Sequence, residues 1–479
     1  MPAMHGRQAM GIAGCVLAVG GALQLGDLAP TVLGSLLLVG NLLLLRWWGR
    51  RRRSGSFHPA AVVGPVGASW LAVAILPVHS FSQRSSGQAV TSVGVQPVLE
   101  LLVFLVVGLV ALGVIRTFEP TLARARPPVV LVLLPMWVTV SCLWSPVPPY
   151  ACIRGVQMTT VVLLAWATMA MGRHDRSLVD GVFELVLRWI PRITLVLVAL
   201  GVAFGPIYAT VGAANAGRFT WIGAHPNGSG LALAVAIVVT AITPPRVLRL
   251  PPWAVVATLA VLVVAMYENH SRTSWFCIVA GLLVAFVLKG RLDPLLRWVG
   301  TPLLGAGAVA VAALWWGEIW DYLLRDGSES TLRSGNGRRE LWSIGFRSMS
   351  DAFDWFAGHG YGVARTLFVE EQPWAGDAHN SVLALLVSTG LVSLVLLGAA
   401  TVAVLARLVR ATPRRGVEHT VAAASLLTLV FVNAMTTDVL AEPTIGFALL
   451  NLVAAYLFTG PREPVVPEDA AVLAWSSAP

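Results

Sequence analysis

Apolar runs of about 17–22 residues recur along nearly the whole of this 479-residue sequence, each long enough to cross a hydrocarbon layer of roughly 30 Å as a helix. Inside lipid, backbone N–H and C=O groups have no water to bond, so only helices and closed barrels can span. The runs are continuous rather than alternating, and that pattern selects helices. Charged residues make up only 12% of the chain and hydrophobic residues 56%. A soluble chain carries about a quarter charged residues, so this one cannot coat a soluble globule of its size. The sequence therefore reads as all-α, a polytopic membrane helix bundle of about 12–14 spans with one large extracytoplasmic loop containing short helices.

The expected spans fall at about 9–25, 30–48, 60–80, 97–116, 128–144, 150–171, 190–208, 228–243, 253–269, 274–289, 301–319, 381–406, 418–437 and 444–459. The first run, Met10 to Leu25, has a weakly basic flank in His5 and Arg7 and no small-residue cleavage site before the next run. It is expected to be a retained span rather than a signal peptide.

Dense basic loops follow the even-numbered spans. They hold Arg46 and Arg50 to Arg53, then Arg116, Arg124 and Arg126, then Arg173 and Arg176. Arg246 and Arg249, then Lys289, Arg291 and Arg297, and finally Arg407, Arg410, Arg414 and Arg415 complete the series. Loops rich in Lys and Arg stay inside, which predicts both termini in the cytoplasm. The net charge of +9 is then a property of inner loops and does not point to nucleic acid. Five regions follow: N-terminal spans over 1–127, central spans with outer-face arginines over 128–316, a large extracytoplasmic loop over 317–380, C-terminal spans over 381–460 and a disordered cytoplasmic tail over 461–479. The outer loop is mixed in charge and carries Trp320, Trp342, Trp355 and Trp374. One or two interfacial helices are expected there, then a tight turn at Gly358–Gly362. Cys15, Cys142, Cys152 and Cys277 lie in or beside apolar runs with no CxxC and no metal spacing. They read as small membrane hydrophobes.

Polar clusters far apart in sequence share the predicted outer face. Arg272, in ENHSRTSW, reads either as a snorkelling helix-end cation or as a cation aimed into a cavity. Arg218 sits in a Gly-flanked loop ahead of His225 and Asn227, where a solvated arginine is cheap. Arg154 falls just inside the sixth span, where it can pair with an acid or a helix carbonyl. His379 opens a long apolar helix, so it is a helix-start residue capped by Asp377 or Asn380, or a general base titrating near neutral pH. His359, in GHGYG, reads as a solvated loop histidine.

Taken in order, these motifs resemble the O-antigen ligase and polymerase superfamily of bacterial membrane glycosyltransferases. The resemblance rests on Trp144-Ser145 with Arg154, Arg218 before Gly223 and His225-Pro226-Asn227, and Ser271-Arg272-Thr273. It continues through Arg338-Arg339 and Leu341-Trp342, the turn Gly358 to Gly362, and His379-Asn380 with Leu383 and Gly390, covering roughly residues 130–400. The resemblance implies a helical membrane bundle with a large outer loop before the histidine helix. It implies transfer of a glycan from a polyprenyl-pyrophosphate carrier to an acceptor hydroxyl, with inversion and without a metal or other cofactor. In that chemistry His379 is the catalytic base. Arg218 and Arg272 bind the pyrophosphate, with Arg154, Arg338, Arg339, His225 and Asn380 as further substrate contacts. The implied partners are the lipid-linked glycan donor, a glycan or glycolipid acceptor and membrane lipids, and the implied location is the bacterial plasma membrane with the site facing outward. Ligase and polymerase share this chemistry. Some polymerases of the superfamily carry a second histidine in this region, and the distance of His359 from His379 therefore fits the ligase better than the polymerase. A transporter would instead place charges and broken helices near the midplane, in related halves, and a structural subunit would not need outward arginines.

Overall fold

The computed structural model describes residues 59–75, 95–119, 128–208, 218–221, 226–290, 337–372, 378–411 and 417–459, together with 306, 314, 316–322 and 324. Spans expected at 9–25 and 30–48, most of that at 301–319, and the tail from 461 lie outside them. So do His225 and Asp377.

Helices carry the described chain, and among the described residues there is no strand. In order they are α1 (Val63–Ile75), α2 (Val95–Phe118), α3 (Val129–Val140), α4 (Pro148–His174), α5 (Arg176–Tyr208), α6 (Pro226–Ile242), the single turn α7 (Pro245–Leu248), α8 (Pro252–Asn269) and α9 (Arg272–Gly290). The segment between α9 and the histidine helix adds α10 (Arg338–Ser348), α11 (Ala352–Ala357) and α12 (Ala364–Glu371). The chain closes with α13 (Ser381–Ala411), α14 (Val417–Ala434) and α15 (Ile445–Phe458). Among the described residues seven helices are long and apolar enough to cross a membrane: α2, α4, α5, α8, α9, α13 and α14. α1, α3, α6 and α15 are apolar but shorter. Every expected span that falls on described residues is occupied by a helix. α6 and α15 are buried nearly all round and form the centre. α9 packs on α14 and α6, and α4 packs on α2, α3 and α15.

One difference has a local cause. The span expected at 190–208 belongs to a helix that begins at Arg176. Its first half is amphipathic: Val179, Val182, Phe183, Val186 and Leu187 are buried while polar residues stay outside, so a search for continuous apolar runs passes over it. Two short helices, α10 and α11, precede the Gly358–Gly362 turn as expected, with Asp351 starting α11 separately, and a further short helix, α12, follows the turn. The Asp351 carboxylate accepts from Asp354 N–H at 2.9 Å in a capping box.

The basic residues gather at one end of the bundle. Arg173 pairs with Glu119, and Arg176 lies over the Tyr456 ring and donates to the Tyr456 and Thr459 carbonyls. Arg246 meets Glu418 at 2.6 Å, and Lys289 donates to the Ile242 carbonyl at 3.0 Å.

At the other end the Gly358–Gly362 turn is set into a break in α13. Gly390 has φ 69° and ψ −171°, which interrupts the helix about 13 Å along its axis from Ser381. The Val387 carbonyl accepts from the His359 N–H at 2.9 Å, and the Thr389 carbonyl accepts from the Trp137 indole N–H at 2.8 Å. His359 is therefore not solvated. Its Nε2 lies 3.0 Å from the Ser348 carbonyl and its Nδ1 3.3 Å from Asp354. On the far side of the turn, Ser141 Oγ accepts from the Tyr361 N–H at 3.1 Å and Ser145 Oγ donates to the Tyr361 carbonyl at 2.7 Å. The Gly360 α-carbon presses on Ser145 so closely that an added Cβ would lie 2.2 Å from the Ser145 Cα, and its φ is +93°.

Gly360→Ala is expected to unseat this turn, because it adds both a backbone clash and a left-handed strain. The cost is about 2–4 kcal/mol or more, read as a large drop in Tm in detergent; an unchanged Tm would show that the seat does not hold the fold. Asp354 supplies a pH-dependent part. Burial works to raise its pKa, but hydrogen bonds from the Ser350 hydroxyl and N–H, the neighbouring His359 and the Asp351 N–H outweigh it, and the net direction is down. A lowered carboxylate contributes stability that is complete above its unfolded pKa and fades as pH falls through the folded value. Tm should therefore decline more steeply below about pH 4 in the wild type than in Asp354→Asn; parallel profiles would remove Asp354 from the acid response.

Candidate active site

The candidate residues sit at the end opposite the basic loops. α8 ends at Asn269, His270 takes a left-handed φ of 53°, and α9 begins at Arg272. Asn269 is fully buried and organises this corner. Its carbonyl accepts from Arg218 Nε at 3.0 Å, while its side-chain Nδ2 donates to the Phe219 carbonyl at 2.7 Å and to Ser229 Oγ at 3.0 Å. Phe219 N–H donates to the Glu268 carbonyl at 2.8 Å. The extended piece 218–221 is thereby fastened along the α8–α9 corner, and Arg218 also reaches Asn227 Oδ1 at 3.3 Å. Arg218 and Arg272 thus flank one buried asparagine.

Aromatic rings cover the corner. Tyr322 stacks on His270 and Tyr267 at 5.0 and 5.4 Å between ring centroids. Trp275 Nε1 donates to the Tyr322 hydroxyl at 3.0 Å. Arg272 extends toward the Leu324 carbonyl, at 3.5 Å.

His379 comes to the same end through α14. Asn433, near the end of α14, donates to Cys277 Sγ at 3.8 Å, just over one turn into α9 from Arg272. Two residues on, the Met435 carbonyl accepts from Asn380 Nδ2 at 3.1 Å. Asn380 Oδ1 caps α13, accepting from the Val382 and Leu383 N–H groups at 2.9 and 3.1 Å. Of the two caps expected from sequence, Asn380 is the one seen. Ser381 Oγ donates to the Thr437 carbonyl at 2.8 Å and accepts from the Leu440 N–H at 3.1 Å. With the following residues clamped twice, His379 is held in the left-handed region at φ 48°. Histidine tolerates that region better than most residues, yet such outliers collect at functional sites. Among the described residues only Arg249, His270 and His379 are non-glycine with positive φ, and two of these three stand at this end.

Arg338 and Arg339 form the first turn of α10, half-buried and exposed respectively. That helix rests on the first turns of α13, with Gly345 against Val387 and Leu383.

Arg154 belongs to a second cluster. Its Nη1 is 2.9 Å from Glu100 Oε1 and 2.9 Å from Gln157 Oε1, and Gln157 in turn donates to Glu100 at 2.9 Å. The guanidinium also lies over the Tyr150 ring at 5.2 Å. Tyr150 donates to Glu442 at 3.2 Å and stacks on Tyr361, whose hydroxyl donates to the Ala441 carbonyl at 2.7 Å. Complete burial, and then the Glu442 carboxylate, push the Tyr361 phenol well above its ordinary range, so it stays a donor. The turn 435–444 joins both clusters, touching α13 through Met435, Thr437 and Leu440, and Tyr361 and Tyr150 through Ala441 and Glu442. Among the described residues no three His, Cys, Asp or Glu side chains gather as a metal site needs.

The sequence reading missed Asn269, although it sits inside the ENHSRTSW motif, and it missed Glu100 as the partner of Arg154. An acid inside an apolar run was the available signal, because such residues seldom stand unpaired in a span.

No curated protein and no solved structure matches the chain significantly. Residues 257–398 match the family model described as O-antigen ligase. The stretch begins in α8, takes in α9 to α12, and ends beyond the break in α13. It includes Arg272, Arg338, Arg339, His379 and Asn380, while Arg154, Arg218 and His225 precede it. This segment, whose two ends carry the arginine corner and the histidine helix, is similar to the O-antigen ligase family.

Proposed function

We propose that the protein is an extracytoplasmic glycosyltransferase of the O-antigen ligase type. It moves a glycan from a polyprenyl-pyrophosphate carrier to an acceptor hydroxyl, with inversion and without a metal. The observation that carries this reading is the gathering of Arg218, Arg272 and the His379 helix start at the bundle end away from the basic loops. The family match over 257–398 supports it.

In the proposed reaction the acceptor oxygen attacks the anomeric carbon as His379 takes its proton. The bond from that carbon to the pyrophosphate oxygen breaks on the opposite face, so one displacement inverts the centre. Charge then spreads over the leaving pyrophosphate, and the guanidinium forks of Arg218 and Arg272 match its oxygens. Arg338 and Arg339 add cations at the start of α10, the positive end of its helix dipole. His225 lies two residues before Asn227 and contributes from the same loop as Arg218. Asn380 acts by fixing the helix start that presents His379. Arg154 serves the acceptor side from its place beside Tyr150 and Glu442, where a substrate shares it with Glu100.

His379→Ala should lower transfer from purified lipid-linked donor by about 10²–10⁴-fold while the protein still inserts with a normal Tm; full activity would end the base role. Arg272→Lys keeps the charge and loses the fork. It should fall about 10²-fold in turnover, and wild-type rates would count against a pyrophosphate contact.

A further inference from the structure

Two thiols at the outer corner of α3 and α4 are not used by this chemistry. Cys142 lies in the single 3-10 turn Ser141–Leu143 that follows α3, and Cys152 lies in the first turns of α4. Both are free and half-buried, and the Cys142 thiol is a neighbour of the Cys152 thiol.

The helix register explains why they meet. α3 and α4 are antiparallel neighbours joined by a short corner. One turn before Cys142 is Thr139, and one turn after Cys152 is Gly155. These two are pressed together: a Cβ on Gly155 would lie 2.9 Å from the Thr139 Cα and 2.3 Å from its Oγ1. Stepping one turn toward the corner along each helix leads from that tight pair to the cysteine pair. Backbones that approach so closely bring paired residues within the Cα separations a disulfide spans. The corner is also open to its surroundings, since Leu143, next to Cys142, is 82% exposed.

We propose that Cys142 and Cys152 are an oxidation site, joined as a disulfide in the mature protein. The inference rests on the outward orientation in the proposed function, because disulfides persist in extracytoplasmic compartments and not in the cytosol. In the reaction the two S–H bonds break and one S–S bond forms. The two electrons and two protons go to the disulfide of an extracytoplasmic thiol oxidoreductase, which leaves as a dithiol after a mixed-disulfide intermediate. The bond ties down the seat of the Gly358–Gly362 turn. Ser141, beside Cys142, and Ser145 hold Tyr361. Cys152 stands between Tyr150, which donates to Glu442, and Arg154, which pairs with Glu100.

The test uses full-length protein from fresh membranes, alkylated without reductant, digested and weighed. The expected result is a linked pair of peptides containing Cys142 and Cys152, two hydrogen masses below the sum of the free peptides. Reductant should release both as alkylatable thiols. Reduction should also lower the Tm of the wild type by several degrees and leave the Tm of Cys142→Ser unmoved. Two thiols fully alkylated without reductant, and still unlinked after glutathione disulfide is added, would overturn the proposal. Orientation is read separately with Glu370→Cys in the Cys142→Ser/Cys152→Ser background, using a membrane-impermeant maleimide on intact cells. Labelling there with no linked pair defeats the disulfide alone. Labelling only after permeabilisation defeats the outward orientation, and the disulfide loses its basis with it.

Discussion

A break in a membrane helix leaves carbonyls without their usual N–H partners, and in lipid each unsatisfied group costs several kcal/mol. α13 is broken at Gly390, and three segments supply what the break lacks. The Trp137 indole of α3 reaches Thr389, the His359 backbone reaches Val387, and the Ser393 hydroxyl donates to Leu385 and Gly390 carbonyls. The Gly358–Gly362 turn can lie this deep because it is enclosed by protein. Trp144 and Phe353, and Trp137 and Phe356, meet edge to face around it. The break, this turn and the α3–α4 corner are therefore one construction. Removing any part leaves the others with unpaired polar groups, which costs more than the lost bond itself.

That construction fixes where α13 begins. A catalytic imidazole needs its position set by neighbours that do not move. Asn380 and Ser381 bond to the turn 435–444 on one side, and α10 packs on Leu383 and Val387 on the other. His379 is held at a left-handed φ between these clamps. Asn269 does the same for the arginines by fastening 218–221 to the α8–α9 corner. Both halves of the candidate site are thus oriented by buried asparagines that bond backbone groups and, for Asn269, the Ser229 hydroxyl, and such bonds hold geometry without adding charge.

The spans were legible because lipid imposes a length and a continuity that a single strand of sequence displays directly. The amphipathic first half of α5 lacks that continuity, so unbroken apolar runs do not reveal it. The Gly358–Gly362 turn was legible as a turn, since its glycines are spaced for positive φ, and φ is positive at Gly358, Gly360 and Gly362. Its destination was not legible: the contact of Gly360 with Ser145 and of His359 with Val387 joins elements whose pairing no local pattern encodes. His359 looked solvated because its neighbours in sequence are small, and it is enclosed by residues from elsewhere. Cys142 and Cys152 looked unrelated for the same reason. Their spacing matches no motif, and only the antiparallel register of α3 and α4 brings them together.

Arginines occupy both ends of the bundle, but they meet helices differently. At the basic end they reach the last carbonyls of helices: Arg192 donates to Leu248 of α7, and Arg176 to Tyr456 of α15. A helix C-terminus carries partial negative charge, so this placement is favourable by roughly 0.3–1 kcal/mol per cation. At the candidate site the arrangement is reversed. Arg272 opens α9, and Arg338 and Arg339 open α10, so each guanidinium sits at the positive end of a helix dipole. The same physics now counts against the cation by a similar amount. A multivalent anion bound at such a helix start would turn both terms favourable, since it attracts the guanidinium and the positive end of the helix dipole together. A pyrophosphate whose charge grows as it leaves is an anion of that kind. On the proposed reading, what looks like a stability cost is binding energy held for the moment of transfer.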